Sequence, residues 1–297
     1  MDTYILQALP QNLVFGILVG ALYGLAALGL SLVFGVTKFL NVAHGELLMI
    51  GGYASFWIFS LWGIGPFLSL PLNILVLSLI GLLLYKLIFV RMVKLDEENK
   101  IRNTMLVGFG LSLILQNLAI YFWTADDRGI TTFYSAEAWT FLGVRFPLVR
   151  LAGFAVAFIC LIALNIYLRK TYTGRAIRAT VEDWEAASLM GIDVHKVYLF
   201  SFVLGAALAG VAGALVSITF SVNPFMGMHW TLISLVVMVL GGLGSFTGTF
   251  VGGIVLGVTE SATALLIGGN YREIVGLVLF LLVLIFRPQG LLGSKQR

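Results

Sequence analysis

Thr171 to Lys196 reads T-Y-T-G-R-A-I-R-A-T-V-E-D-W-E-A-A-S-L-M-G-I-D-V-H-K, the longest clearly polar stretch in an otherwise apolar chain. On a helix turning about 100° per residue, Ile177, Val181 and Trp184 share one face, while Arg175, Arg178, Glu182 and Glu185 gather well round from them. Thr173 is placed to cap the first turn, Gly191 can supply the left-handed residue that ends the element, and Asp193 can cap the helix that follows. The spacing predicts helix, short helix, helix, set between two hydrophobic spans. Such an element lies against the membrane surface and turns polar groups to something in the water. A short surface helix with no partner fits the same pattern.

The 297 residues are 60% hydrophobic and 11% charged, with a mean hydropathy of +1.01. Soluble domains run at about 45–50% apolar and about 25% charged, so a polytopic membrane protein is expected. Met1 to Asn12 carries no Lys or Arg, and the apolar run after it is too long for a signal-peptide core, so no cleaved leader is expected. The single cysteine, Cys160, sits in an apolar run without an intrachain disulfide partner. A net charge of +4 could suit an acidic partner. In a membrane protein, however, basic residues report orientation, and no nucleic acid is expected.

Apolar runs able to cross about 30 Å of hydrocarbon, for which about 20 residues are the norm, are Leu13–Val36, Glu46–Trp62, Ser69–Val90, Asn103–Thr124, Pro147–Leu168, Val197–Ser221, Trp230–Leu243, Phe246–Gly268 and Arg272–Phe286. The Trp230–Leu243 run is too brief to span upright, so the expectation is eight or nine segments, one of them broken. If the chain starts outside and each segment crosses once, the inside loops hold Lys38, Lys86, Arg91, Lys94, Lys100, Arg102, Arg169, Lys170, Arg175, Arg178, Lys196, Arg287, Lys295 and Arg297. The outside loops hold only Arg128, Arg145, Arg150 and Arg272. That asymmetry puts the amphipathic loop and the tail Phe286-Arg287-Pro288-Gln289-Gly290 in the cytoplasm. Ala125–Phe146 should then lie along the outer face.

Two stretches interrupt the apolar pattern. One is Gly35 to Glu46, G-V-T-K-F-L-N-V-A-H-G-E, and the other is Gly241 to Gly248, G-G-L-G-S-F-T-G. Backbone that leaves a helix inside the bilayer must be buried in protein or line a cavity, and paired breaks in two halves of a transporter point to a central pathway. Asn41, His44 and Glu46 are candidates for that path. They equally suit the start of the second span, Asn41 taking loop N–H groups and Glu46 the positive helix terminus. Zinc is not expected, since His-x-Glu lacks the further ligands a site requires. Glu260 lies near the middle of an apolar run and must face a partner or a cavity. Gln116, Asn117 and Asn165 suit hydrogen bonds between packed helices. Gly16, Gly20 and Gly24, then Gly205, Ala209 and Gly213, then Gly248 and Gly252, form small-residue stripes that let helices approach closely in lipid.

Glu185-Ala186-Ala187 with Gly191 reads E-A-A-x-x-x-G, which resembles the cytoplasmic loop by which permeases of ABC importers dock onto their ATPases. The pattern's usual continuation, I-x-L-P, is replaced here by Ser201, Phe202, Val203 and Leu204. Together with N-V-A-H-G-E-L-L-M-I-G-G-Y at 41–53, T-G-R-A-I-R-A at 173–179, V-L-G-G-L-G-S at 239–245 and F-R-P-Q-G-L-L-G at 286–293, the chain resembles the permease subunits of branched-chain amino acid ABC importers, and within them the shorter of the two permeases that pair. The resemblance implies an all-α transmembrane bundle over residues 1–297 in the bacterial inner membrane, N-terminus outside, C-terminus in the cytoplasm, with a coupling loop at about 169–196. It implies as partners a second homologous permease, two cytoplasmic ATPases and a periplasmic or extracellular binding protein. The chain has no G-x-x-x-x-G-K-[ST] phosphate loop. ATP and Mg would therefore be held by the partner ATPases, this chain carrying no cofactor and no catalysis.

The expected coupling set is Gly174, Arg175, Ala176, Arg178, Ala179, Glu182, Asp183, Glu185, Ala186 and Gly191. The expected path set is Asn41, His44, Glu46, Gln116, Asn117, Gly241, Gly242, Gly244 and Glu260. The same group of permeases includes transporters of urea, short amides and other amino acids. A secondary transporter or channel, using Glu260, Gln116 and Asn117, and a membrane enzyme using His44 with Glu46 or Glu260 are the alternatives of other classes.

Overall fold

The structure, a computed structural model, describes residues 2–93, 96–141, 143–287 and 289–293. Lys94, Pro288, Lys295 and Arg297 lie outside the described residues. Each apolar run forms a helix: α1 (Asp2–Thr37), α2 (His44–Trp62), α3 (Leu70–Leu87), α4 (Glu97–Trp123), α5 (Leu148–Lys170), α8 (Val194–Thr219), α9 (Met226–Gly241), α10 (Phe246–Leu266) and α11 (Arg272–Phe286). The polar stretch forms α6 (Tyr172–Glu182) and α7 (Trp184–Leu189). Between α4 and α5, β1 (Ala138–Phe141) and β2 (Val144–Pro147) pair antiparallel, Ala138 opposite Pro147 and Phe141 opposite Val144. The ribbon marks one end of the bundle, and α6–α7 the other.

Among the described residues, seven helices are long and apolar enough to cross a membrane: α1, α3, α4, α5, α8, α10 and α11 with the short turn before it. Helix α9 has 16 residues, about 24 Å at 1.5 Å per residue. Helix α2 has 19 residues, but its first turn carries His44 and Glu46.

The packing follows the small-residue stripes. Helices α1 and α10 run antiparallel with their backbones touching, so that a Cβ on Gly20 would sit 2.6 Å from the Gly253 carbonyl, and one on Gly257 2.5 Å from that of Gly16. Thr249 Oγ1 also donates to Ser31 Oγ at 3.0 Å. On its other side α1 meets α8 at Gly29 and Gly205, where a Cβ on Gly205 would lie 2.8 Å from the Gly29 carbonyl. Lipid tails are as apolar as Leu, so such contacts associate helices through dispersion and fit rather than exclusion of water. Helices α1 and α8 are accordingly the most buried spans and α11 the least.

The first predicted break is re-entrant. Helix α1 ends at Thr37, and Lys38 takes φ 57°. The chain then turns back into the bundle, and α2 begins beside Ala26, whose carbonyl lies 3.0 Å from His44 Nε2. Ala26 is eleven residues before the end of α1, about 16 Å deep. Side chains take up several backbone groups of this segment. Thr37 Oγ1 accepts from Phe39 N at 3.1 Å, Thr104 Oγ1 from Leu40 N at 3.1 Å, and Asn41 Oδ1 from Ala43 N at 3.1 Å. Thr231 Oγ1 accepts from Gly45 N at 2.9 Å and donates to the Val42 carbonyl at 2.9 Å.

The second predicted break falls elsewhere. Residues Gly242–Ser245 form a tight turn at the α6–α7 end of the bundle, Ser245 N donating to the Gly242 carbonyl at 3.0 Å. Backbone leaves the helix at depth instead at Phe220–Phe225, where the chain turns inward from the end of α8 and α9 starts against the N-terminus of α2, Gly227 packed on Gly45 and Glu46. Glycine density marked the turn, whereas the inward stretch S-V-N-P-F carries one asparagine and one proline and reads as an ordinary loop.

Two outcomes test this packing. Gly20→Val should destabilise the detergent-solubilised protein by about 1–3 kcal/mol through overpacking, lowering its thermal midpoint, while Gly110→Ala, with nothing within 4 Å of the added carbon, should not. Thr231→Val strands a buried N–H and carbonyl and should cost about 1–3 kcal/mol. Thr231→Ser should restore most of the midpoint.

Candidate coupling surface and translocation site

Helix α6 starts two residues earlier than its sequence suggests. Thr171, not Thr173, is the cap, its hydroxyl accepting from Gly174 N at 3.0 Å, while Thr173 Oγ1 lies 2.7 Å from the Tyr167 hydroxyl. The expected single amphipathic face also divides. Asp183 adopts extended backbone (φ −157°, ψ 106°) and its carboxylate accepts from Ala186 N at 2.9 Å, which ends α6 and begins α7. Ile177 is buried, but Val181 and Trp184 are exposed. Gly191 takes φ 84° as expected, and the Ile192 N–H closes onto the Ala187 carbonyl at 3.1 Å. Asp193 caps α8 through Lys196 N at 3.2 Å. Its carboxyl is held below the usual carboxylate range by hydrogen bonds from Lys196.

The expected coupling residues divide between buried and exposed positions on and beside α6 and α7. Gly174 and Ala176 are buried and hold α6 to α5, a Cβ on Gly174 being blocked by the backbone of Tyr167 and Leu168. Arg175, Arg178, Glu182, Asp183, Glu185, Ala186 and Gly191 are exposed, and Ala179 is half-buried. Sequence reading missed that the tip is greasy, Leu189 and Met190 being 88% and 84% exposed. Beneath the surface, a cavity of about 330 Å³ is lined by Lys38, Lys100, Asp96, Glu182, Asp183 and Trp184 among others.

The expected path residues occupy separate places. Asn41, His44 and Glu46 meet at the α2–α9 junction, where all three are buried. His44 Nε2 donates to the Ala26 carbonyl, which fixes its ring proton. Glu46 Oε1 accepts from Ser112 Oγ of α4 at 2.8 Å. Its carboxylate fills the space a side chain on Gly227 would take, so it faces the first turns of both α2 and α9, where helix dipoles favour an anion. His44 and Glu46 thus turn to different partners. Gln116 lies one turn beyond Ser112 on α4 and is half-buried, whereas Asn117 is exposed and donates to the Leu113 carbonyl of its own helix at 2.8 Å. Asn165 likewise returns to Leu161, at 3.0 Å. These two asparagines therefore donate along their own helices instead of bridging neighbours.

Gly241, Gly242 and Gly244 sit with the C-terminal tail. Gly242 (φ 104°) and Gly290 (φ 76°) lie against one another, and a Cβ on Gly290 would come 2.5 Å from Gly242 Cα. Leu291 N then donates to the Leu240 carbonyl at 2.8 Å and Leu292 N to that of Gly241 at 3.1 Å. Two glycine motifs distant in sequence thus form one clasp. Gly244 (φ 81°) has open space beside it.

Glu260 lies toward the ribbon end, buried, accepting from the Tyr23 hydroxyl at 2.9 Å, with Arg272 Nε 4.0 Å from the same oxygen. Tyr23, Ser112 and Thr231 were invisible beforehand, being single polar atoms in apolar runs. Arg272, a charge at the start of a span, was legible.

This chain matches, over residues 12–286, the family described as branched-chain amino acid transport system / permease component. It is 33% identical to the high-affinity branched-chain amino acid transport system permease protein BraD of Pseudomonas aeruginosa and 31% identical to LivH of Escherichia coli K12, in each case with 96% of both chains covered. In backbone it resembles the solved structure described as PsaBC from Streptococcus pneumoniae in complex with Fab, with a TM-score of 0.50, 97% of each chain covered and 15% identity, a likeness of fold alone. With a family match over nearly the whole length and relatives above 30% identity, the chain belongs to the branched-chain amino acid transport system permease family.

Proposed function

We propose that this chain is one of two homologous permeases of an ATP-driven importer, carrying a hydrophobic amino acid of the branched-chain type from a binding protein at the ribbon end to the cytoplasm. The observation that carries this is the α6–α7 surface. Its charged side chains, Arg175, Arg178, Glu182 and Glu185, are exposed, and so are the large apolar Leu189 and Met190 at the end of α7. Large apolar groups at the wet end of a membrane protein mark a protein contact. Two cytoplasmic ATPases, holding ATP and Mg, are the partners that would cover it, one on each permease.

The sidedness has support from charge. Lys38, Lys86, Arg91, Lys100, Arg102, Arg169, Lys170, Lys196 and Arg287 fall near the α6–α7 end of the fold, whereas the ribbon end has Arg128, Arg145, Arg150 and Arg272. Basic residues concentrate on the cytoplasmic side, so the N-terminus is outside and the C-terminus inside.

Force is passed mechanically. Helix α6 is fixed to α5 at Gly174 and through Tyr167 and Thr173, and α7 is joined to α8 by the Gly191 turn and the Asp193 cap. A push on α6–α7 therefore reaches α5 and α8 as rigid rods. The path itself runs past the α2–α9 junction at Asn41, His44 and Glu46, with Gln116 one turn further along α4, and past Glu260 at its outer end. The chain carries no catalysis and no cofactor of its own.

Arg178→Ala with Glu182→Ala should leave the assembled, reconstituted importer hydrolysing ATP while amino-acid uptake per ATP drops; an unchanged ratio counts against the coupling role. Leu189→Asp with Met190→Asp should reduce co-purification of the ATPases by on the order of tenfold, equivalent to about 1.4 kcal/mol of binding. Retention of both ATPases by this variant would remove the observation on which the reading stands.

A further inference from the structure

Two cavities meet at one group of charged side chains toward the ribbon end. The first, about 100 Å³, is walled by Leu232, Ile233, Val236 and Leu277. The second, about 180 Å³, is walled by Phe15, Val19 and Phe220. Tyr23, Glu260 and Arg272 line both, with His229 and Glu273 on the side of the first and Arg150 on that of the second. Each space exceeds the roughly 30 Å³ share of one water.

The ion pair between them is loose. Arg272 approaches Glu260 Oε2 only through Nε, at 4.0 Å, whereas an arginine–carboxylate pair built for stability forms two parallel bonds of about 2.7–2.9 Å. Glu260 is 8% exposed, and its acceptor capacity is taken in part by the Tyr23 hydroxyl. The arrangement offers an anion and a cation side by side, not locked into a bidentate pair, next to a wall of aliphatic side chains. Apolar pockets with a few convergent polar groups are where small ligands bind, and ionisable groups at membrane depth are kept for function.

We propose that Glu260 and Arg272 hold the zwitterionic head of an amino acid on its way through, the α-ammonium on Glu260 and the α-carboxylate in the guanidinium fork of Arg272, with the aliphatic side chain against Leu232, Ile233 and Val236. Tyr23 is a positioning residue that fixes the Glu260 carboxylate. The inference rests on the import reading above and deepens it: the outer part of the path then selects for head group by charge pairing and accepts branched side chains by apolar contact.

The test uses the complete importer with its second permease, ATPases and binding protein, rebuilt in phosphatidylcholine vesicles and supplied with L-leucine. Glu260→Gln and Arg272→Gln should each lower leucine moved per ATP hydrolysed by on the order of tenfold, a difference of about 1.4 kcal/mol. Wild-type vesicles that import no aliphatic amino acid overturn the import reading, and this proposal with it. Wild-type import with both variants unchanged overturns this proposal alone. A purely structural ion pair is separated by labelling: Leu232→Cys, made in a Cys160→Ser background, should react with a water-soluble maleimide and be protected by leucine, and Glu260→Gln should abolish the protection. Absence of protection before Glu260 is changed overturns the proposal. So does an effect of the substitutions that occurs only when phosphatidylethanolamine is added to the vesicles, which would assign the cluster to a lipid ammonium.

Discussion

Backbone that leaves a helix at membrane depth must find its hydrogen-bond partners within the protein, and at Lys38–Gly45 side chains supply several of them. Hydroxyls of Thr37, Thr104 and Thr231 and the amide of Asn41 take N–H groups that no helix supplies, and Thr231 also reaches the Val42 carbonyl. These side chains come from α1, the re-entrant segment, α4 and α9. The break can therefore exist only once those elements are assembled around it. In turn it fixes where α2 begins, about a third of the way back along α1 from its end, and so brings its N-terminus against that of α9.

The electrostatic consequence is an acid at the junction. Two helix N-termini facing one another place partial positive charge at the same point, each worth roughly 0.3–1 kcal/mol to a nearby anion. Glu46 occupies that point, held by Ser112 and packed on Gly227. Glycine is required at 227 because the carboxylate occupies the room of its missing side chain.

Much of this was legible beforehand, for reasons that differ by element. The spans follow from hydrophobic length, and close helix approach at Gly16, Gly20 and Gly24 from their spacing, although which helix they meet does not. The re-entrant Gly35–Glu46 segment announced itself through Lys38, Asn41, His44 and Glu46. The second break did not, because the glycines at 241–248 serve a turn and a tail clasp instead, and a helical period cannot distinguish a glycine that bends the chain from one that lets another backbone approach. The division of α6 from α7 escaped for a related reason: Ile177, Val181 and Trp184 keep helical spacing across Asp183, although an aspartate three residues before Ala186 is also a cap signal. Polar atoms that act across the bundle, such as those of Tyr23, Ser112 and Thr231, leave no periodic trace at all.

Helix α1 touches every one of these places. Tyr23 reaches the Glu260 cluster, Ala26 receives His44, Gly29 locks against Gly205 of α8, and Gly35 packs on Gly244 beside the tail clasp. Because its contacts with α8 and α10 are backbone against backbone, α1 cannot slide past either by a small amount without steric clash, and close-packed interfaces shift between discrete arrangements rather than deform. A displacement entering through α8 must then carry α1 and α10 with it as a block. Helix α4 is held differently, meeting α2, α9 and residues 89–92 and presenting exposed apolar residues over much of its length. On the import reading proposed above, the boundary along which such a block would move is the seam where Ser112 of α4 meets Glu46, beside the junction of α2 and α9.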